Sequence, residues 1–410
     1  MFYFFRNLII LLILFLVQYY FVRKAEKFLV FRFPGLSKYG KKFQRIVFFI
    51  FINIYPLVTI VLWIYKTLFG IADFEYPENA FWDNYIVIPF WVIQLIILQS
   101  VLFFATIDIL KFAISFFTKK RKDTLEKLEC RLLLLITAGF LIYVPLRVYH
   151  DWNSVSVRVV EYSKKNLSKD LDDFRLVLIS DIQVDKYTDG KRVLRYINKV
   201  NSLQPDLILI GGDIITSGPE YINSAADHLG KLSSLYGVYS CIGDHDNWAY
   251  RPDNARSRRE ITEALSQNNV KMLDNKKVKL IVENSSISIS FITHTYSKKI
   301  NGSLLDSVSV PDAGSDLNIF LTHQPQEFLA EKASENGFDI MLAGHTHGGQ
   351  ITLFYPFFNI SPTLFETKYI KGDFRIGNML LSVNRGLGMS VAPVRYNSTP
   401  EITFIILKRR

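Results

Sequence analysis

Two hydrophobic rhythms divide the 410 residues. Over roughly the first 150, apolar positions run together in long uncharged blocks. Beyond residue 155 they break into short, often β-branched runs separated by segments of helical period. The blocks are 7–22, 46–65, 84–107 and 132–146. A helix needs about 17–25 residues to cross the hydrocarbon core. The second and third blocks meet this alone. The first relies on flanking aromatic and Arg side chains to reach the interface, and the fourth is taken on to about residue 149. The pattern therefore predicts a four-helix transmembrane domain over 1–150. The first block lacks a small-residue cleavage site and reads as a retained helix. Pro56 predicts a kink in the second, and 108–117 reads as an interfacial continuation of the third.

Charge sharpens that division. The formal net charge is +10. Residues 1–150 hold 18 basic and 9 acidic side chains, whereas 151–410 hold 30 and 29. The excess thus belongs to the apolar half, which disfavours nucleic acid as a partner and favours an anionic lipid bilayer. The loop 23–45 has eight bases and one acid, 70–83 has four acids and no base, and 108–131 has seven bases and four acids. Basic short loops stay cytoplasmic. Four spans then place residues 151–410 outside the cytoplasm, and an odd number would reverse this. Only Asp151–Ser154 link the halves, a reach of about 15 Å, so the second domain is expected against the membrane.

In 151–410 the short runs predict strands at 155–160, 174–179, 207–210, 237–242, 278–282, 287–292, 317–322, 338–342, 379–383 and 402–407. Helical period falls at 190–203, 220–233, 256–268 and 325–336. Strands with interspersed helices predict an α/β class domain in layers around mixed sheets. Two cysteines, Cys130 and Cys241, read as free buried thiols and exclude a disulfide scaffold.

Polar residues that fit no core stand at strand ends. Asp181-Ile182-Gln183 follows one run, Gly212-Asp213 the next, and Gly243-Asp244-His245-Asp246 a third. His323 and then Gly344-His345-Thr346-His347 follow two later runs. In open α/β sheets the carboxyl ends of strands converge on the ligand crevice. Carboxylates and imidazoles gathered there are ligands for Mn²⁺, Fe or Zn²⁺. Taken singly, an Asp after a strand is as readily a helix cap. The ordered set is what points to metal chemistry.

That set resembles the calcineurin-like metallophosphoesterase family over about 155–410. The tail motifs Gly386-Leu387-Gly388, Pro393-Val394-Arg395-Tyr396 and Pro400-Glu401-Ile402 are similar to its membrane-anchored branch. The resemblance implies a central β-sandwich of mixed sheets and two divalent ions. Asp213 would bridge them. Asp181 and His347 would hold the first, with Gln183 in place of the family's His. His323 and His345 would hold the second, with Asp244 in place of Asn. His245 would act as the proton donor. An amide and an extra carboxylate favour harder ions, Mn²⁺ or Mg²⁺, over zinc. Asp185 is a candidate to compensate for Gln183, and His294 a candidate pocket residue.

The reading is a multi-pass membrane phosphoesterase that hydrolyses a phosphomonoester or phosphodiester through a metal-bridging hydroxide. Its substrate would be a lipid headgroup, lipid-linked pyrophosphate or envelope component. The alternative is a degenerate metal- or phosphate-binding sensor on a membrane anchor, suggested by Gln183 and Asp244. A transport path through the helices is a third reading, opposed by the scarcity of charges within the apolar blocks.

Overall fold

The computed structural model describes residues 2–32, 35, 38–69, 79–116 and 122–410. By internal packing the chain divides into Met1–His150 with Leu353–Ile360, and Asp151–Thr352 with Ser361–Arg410. Much of the charge pattern of the loops 23–45, 70–83 and 108–131 lies outside the described residues.

The first unit holds α1 (Phe2–Arg32), α2 (Lys38–Ile52) and α3 (Ile54–Phe69). After the short α4 (Ala80–Trp82) and a π-helical turn come α5 (Ile88–Ser115) and α6 (Lys122–Asn153). Among the described residues two helical stretches, Ala80–Ser115 and Thr124–Asn153, are long and apolar enough to cross a membrane. A third qualifies if the bent pair α2–α3 counts as one span. The block 7–22 lies in α1, whose side chains before residue 12 are outside the described ones.

The block 46–65 departs from the expected single kinked helix. It breaks at Asn53, ahead of Pro56, with a bend of 65°. Pro56 has no N–H, so the Ile52 carbonyl four residues earlier loses its helical donor. The side chain of Gln94 on α5 replaces it, with Nε2 donating to Ile52 O at 3.2 Å. Gln18 Nε2 in turn donates to Asn53 Oδ1 and Gln94 Oε1, both at 3.0 Å. Asn53 Nδ2 returns a bond to Gln18 Oε1 at 2.8 Å. Backbone freed at such a break needs partners of this kind when water is absent. Several bases of the expected loops also find partners. Lys24, Lys27 and Lys111 converge on buried Glu129 at 2.9, 2.8 and 2.6 Å. The helix α6 runs on to Asn153, so most of the expected four-residue linker is helical.

The second unit is a four-layer α/β/β/α stack. Its first sheet comprises β1 (Ser156–Lys164), β2 (Arg175–Ile179), β3 (Leu207–Ile210), β4 (Val238–Ser240), β5 (Val270–Met272) and β14 (Glu401–Arg409), in the order β1-β14-β2-β3-β4-β5. Its second comprises β6 (Lys276–Val282), β7 (Ser285–Ile292), β8 (Leu317–Thr322), β9 (Ile340–Ala343), β12 (Gly372–Ile376) and β13 (Met379–Val383), in the order β12-β13-β9-β8-β7-β6. Both sheets are mixed. The run β2-β3-β4-β5 is parallel, and β14 pairs antiparallel with β2. In the second sheet β7, β8, β9 and β13 are parallel, flanked by antiparallel β6 and β12.

Inward residues of both sheets, among them Leu176, Leu178, Leu209, Ile289, Phe291, Ile319 and Leu342, form one core between them. On the outer face of the first sheet lie α7 (Gly190–Ser202), α8 (Glu220–Leu229) and α9 (Asn254–Gln267). On that of the second lie α10 (Gly302–Val308) and α11 (Glu327–Glu335). Side chains start these helices: Asp189 accepts from Arg192 N, and Asp253 from Arg256 N. Because β2, β3 and β4 run parallel, as do β8 and β9, their carboxyl ends deliver the polar tips together.

Candidate metal centre

Five of the singled-out residues leave the ends of strands through strained turns. Asp181, Gln183, Asp213, His345 and His347 all have left-handed φ, between +48° and +72°. Non-glycine residues there cost about 1–3 kcal/mol each and persist only where the surroundings over-determine them. Here the surroundings are one another. The His345 N–H donates to both Asp181 carboxylate oxygens at 3.1 and 2.9 Å. The Asp181 N–H donates to Gly212 O and the Gln183 N–H to Asp213 O, each at 3.0 Å. Two glycines are required by this crowding. A Cβ on Gly243 would lie 2.1 Å from Asp213 Oδ1, and one on Gly344 2.5 Å from Asp181 Oδ2.

The strand tips bring carboxylate and imidazole donors into two overlapping trios. Asp181, Asp213 and His323 offer ligand atoms within 4.8 Å of one another, and so do Asp244, His323 and His345. The shared residue is His323, whose Nε2 lies 3.3 Å from Asp213 Oδ2 and 3.4 Å from Asp244 Oδ2. His345 Nδ1 lies 3.1 Å from the same Asp244 oxygen. His323 Nδ1 faces the Gly211 carbonyl at 2.7 Å. A carbonyl only accepts, so Nδ1 carries a proton and Nε2 is the atom turned to the site. His347 Nε2 stands 3.5 Å from Asp181 Oδ1, beside the first trio. Gln183 donates Nε2 to Asp213 Oδ2 at 3.1 Å.

The extra carboxylate at 244 has its own partners. Asp244 Oδ1 accepts from Tyr296 N and Oδ2 from Gln324 Nε2, both at 2.6 Å. His245 lies alongside. Its N–H donates to Asp213 Oδ1 at 2.8 Å, and its Nδ1 faces the Thr216 carbonyl at 2.6 Å. The ring leans on Trp248, with centroids 4.2 Å apart, and Nε2 lies 3.3 Å from Ser390 Oγ.

The electrostatics are those of a site short of positive charge. Asp181, Asp213 and Asp244 are at most 1% exposed, and among the described residues their ion pairs are with histidines. Burial pushes the Asp181 carboxyl above the usual range. It also pushes Asp213 up, but His323 and His245 outweigh it and hold that group at about 2. Asp244 is likewise pushed up by burial and pulled well below the ordinary range by His323 and His345. Burial disfavours the imidazolium of His345, yet Asp244 and Glu366 raise it to about 9. His323 is raised by Asp213 and Asp244 against its burial. His347 goes the other way, lowered by burial and by the Arg395 guanidinium.

Other residues at the site were not singled out by sequence. Asp246, buried and raised to about 7 by burial and by Asp213, accepts from the Asp213, Ile214 and Gly243 N–H groups. It holds two strand tips together. Glu366 Oε2 reaches His345 Nε2 at 3.4 Å. The signal for Asp246 was its place in Gly243-Asp244-His245-Asp246; Glu366 and Ser390 carried none. Two further candidates have partners of their own. Asp185 accepts from Tyr187 N, Thr188 N and Thr216 Oγ1, which closes its own turn. His294 packs edge-on against Phe328. Cys130 and Cys241 are buried free thiols, as expected.

A family model for the calcineurin-like phosphoesterases matches residues 174–349, the segment that carries all five tips. These residues form a calcineurin-like phosphoesterase domain. A metallophosphoesterase of Campylobacter jejuni is 27% identical over 395 residues, 93% of this chain and 96% of its own. The phosphodiesterase YaeI of Escherichia coli is 26% identical over 57% of this chain and 82% of its own. A transmembrane protein with a metallophosphoesterase domain from Danio rerio is 26% identical over 68% and 62%. The phosphoesterase domain is that of a phosphoester hydrolase and implies a phosphate-ester substrate. Its family binds paired divalent metals. The donor set fits such ions, because buried carboxylate oxygens whose ion pairs among the described residues are with histidines, together with imidazole nitrogens, are hard-to-borderline ligands for positive charge. The apolar helices and the relatives named as transmembrane proteins associate the chain with a membrane.

Proposed function

We propose that the protein is a multi-pass membrane phosphoesterase that cleaves a phosphomonoester or phosphodiester with two divalent ions, Mn²⁺ foremost. Residues 1–150 form the anchor, with four crossings, and 151–410 the catalytic domain on the extracytoplasmic side. The observation that carries this reading is the pair of donor trios meeting at His323, with His245 beside them. Asp181, Asp213, His347 and Gln183 would hold one ion, and Asp213, Asp244, His323 and His345 the other. Bound there, the ions supply Lewis acidity toward phosphoryl oxygens and an acidified water.

The chain's own groups do the rest. The Asp213 carboxylate holds the backbone of His245, and the Thr216 carbonyl fixes the proton on Nδ1. Nε2 of His245 is thereby left turned to the site, and with both ring nitrogens protonated it would pass its Nε2 proton to the leaving oxygen and remain as the neutral Nδ1–H imidazole. Gln324 and the Tyr296 N–H stabilise the additional charge of Asp244, which supports an active site over a degenerate sensor. The substrate is a phosphate ester at the membrane: a lipid headgroup, a lipid-linked pyrophosphate or an envelope component.

Turnover of bis(p-nitrophenyl) phosphate with Mn²⁺ tests the chemistry. Wild type is expected to turn over and His245→Ala to lose about 10²–10⁴-fold, and metal-independent or absent turnover in folded protein would refute it. Protease accessibility of 151–410 in intact cells tests the sidedness. Cleavage from outside is expected, and protection would place the domain in the cytoplasm, as an odd number of crossings requires.

A further inference from the structure

The segment Leu353–Ile360 reads Leu-Phe-Tyr-Pro-Phe-Phe-Asn-Ile and forms a hairpin of β10 (Leu353–Tyr355) and β11 (Phe358–Ile360). Two-residue hairpin turns in water favour Asn-Gly or Asp-Gly, which accept positive φ and like solvent. This turn is Pro356-Phe357. Phe357 is fully exposed and has φ +79°. Phe354 and Phe358 beside it are also exposed. A strained turn that presents aromatic rings outward has no rationale in water.

Its packing supplies one. The hairpin belongs to the apolar first unit. Gln99 of α5 clasps it by both amide ends: Nε2 donates to Phe354 O at 2.5 Å, and Phe354 N donates to Oε1 at 2.9 Å. Thr106 Oγ1 meets the Tyr355 hydroxyl at 2.6 Å, and the Phe103 ring lies 5.6 Å from that of Tyr355. Gln99 stands near the middle of Ala80–Ser115, a stretch fit to cross a membrane. A side-chain amide at that depth needs a protein partner, and the hairpin backbone provides it.

We propose that Leu353–Ile360 is embedded in the lipid bilayer beside α5 and brings lipid-borne phosphate esters to the metal centre. The substrate half of this rests on the phosphoesterase reading above. Leu353 comes six positions after His347, and Glu366 six positions after Ile360. At about 3.5 Å per residue each of these segments reaches at most about 21 Å. A second feature agrees. Phe365 is 95% exposed and precedes Glu366, which touches His345; Val391 is 97% exposed, at φ +63°, and follows Ser390, which touches His245. Each is an apolar side chain one residue from a group at the site. A substrate without an apolar tail has no use for either.

The test uses the full-length protein in nanodiscs of phosphatidylethanolamine and phosphatidylglycerol. Phe357→Cys is labelled with an environment-sensitive fluorophore; native Cys130 and Cys241 are buried. Quenching by doxyl-labelled lipid and not by iodide is expected, and the reverse overturns the embedding. In parallel, phosphatidic acid in the disc and soluble glycerol phosphate compete against Mn²⁺-dependent turnover of bis(p-nitrophenyl) phosphate. The lipid-borne competitor is expected to be at least about tenfold stronger, with that advantage lost in Phe357→Ser/Phe358→Ser and the uninhibited rate kept within about twofold. Equal competition in wild type overturns the substrate half. Absence of any wild-type turnover would sink the phosphoesterase reading and the substrate half together, while quenching alone still decides whether the hairpin is embedded.

Discussion

Two buried polar clusters, one in each unit, use the same kind of isolation for opposite ends. Gln18, Asn53 and Gln94 are neutral, and each of their amide oxygens accepts from a neighbour, with the spare Gln94 and Asn53 N–H bonds spent on helix carbonyls. The cluster closes on itself and repairs the break ahead of Pro56. Asp181, Asp213 and Asp244 are as deeply buried, but they repel one another and draw protons onto His323 and His345. Hydrogen bonds satisfy their geometry and leave their charge. A polar cluster that balances internally holds a fold together, whereas one left with excess like charge is built for an absent partner of opposite sign.

The contrast breaks most visibly at its charged end. Substituting Asp213 by Ala is expected to lower kcat/KM on a phosphodiester by about 10³-fold or more. Circular dichroism should still report a folded domain, and a loss below tenfold would remove Asp213 from the reaction. Asp181→Asn sharpens the point through stability. Its amide oxygen still accepts the His345 N–H, while one buried charge is gone. Metal-free Asp181→Asn should melt no lower than wild type, and the rise in melting temperature on adding Mn²⁺ should shrink, since an ion at 100 times its Kd stabilises by about 2.7 kcal/mol. At the neutral cluster the signs reverse. Gln94→Leu leaves Ile52 O and a Gln18 N–H unpaired and should cost about 1–2 kcal/mol without changing kcat per folded molecule.

Acidity gives a further separation. His345 titrates at about 9 in the metal-free site because Asp244 and Glu366 outweigh the effect of burial. That lies above its unfolded value of about 6.5, so its stabilising effect is complete below that pH and is lost as pH rises through about 9. Metal must displace the same proton. Mn²⁺ affinity should therefore rise between pH 7 and 9 by up to about tenfold per unit, as read by calorimetry in buffers of differing ionisation enthalpy. The neutral cluster contributes no such slope. The smallest effect is expected from Gln183→His, which exchanges an amide for an imidazole and should raise zinc retention about tenfold while leaving the Mn²⁺-supported rate within a fewfold.

Strand tips were legible because a hydrophobic run that ends in Asp, Gly-Asp or His has no core reason to do so, and the parallel strands carry those ends to one side. Asp246 was visible in Gly243-Asp244-His245-Asp246, but nothing in sequence distinguishes a carboxylate that holds backbone N–H groups from one that faces an ion. Asp185 shows the converse: spacing put it near Gln183, and its own turn claimed it. The edge strands Val270–Met272 and Gly372–Ile376 were too short or too polar to stand out. In the apolar half, Pro56 marked the break a few residues late, because the consequence of a missing N–H appears at the carbonyl four residues earlier. Leu353–Ile360 carries no signal of its own in sequence, since eight apolar-rich residues are too few for a crossing and its partner Gln99 lies more than 250 residues away.

Uncompensated negative charge defines the candidate metal centre, so the count of bound ions is its sharpest probe. Equilibrium dialysis of the purified full-length protein against Mn²⁺, followed by elemental analysis, should find two ions per folded chain. His323→Ala, which removes the residue common to both trios, should retain neither tightly. Folded wild-type protein that binds no divalent ion above pH 7 would contradict the account.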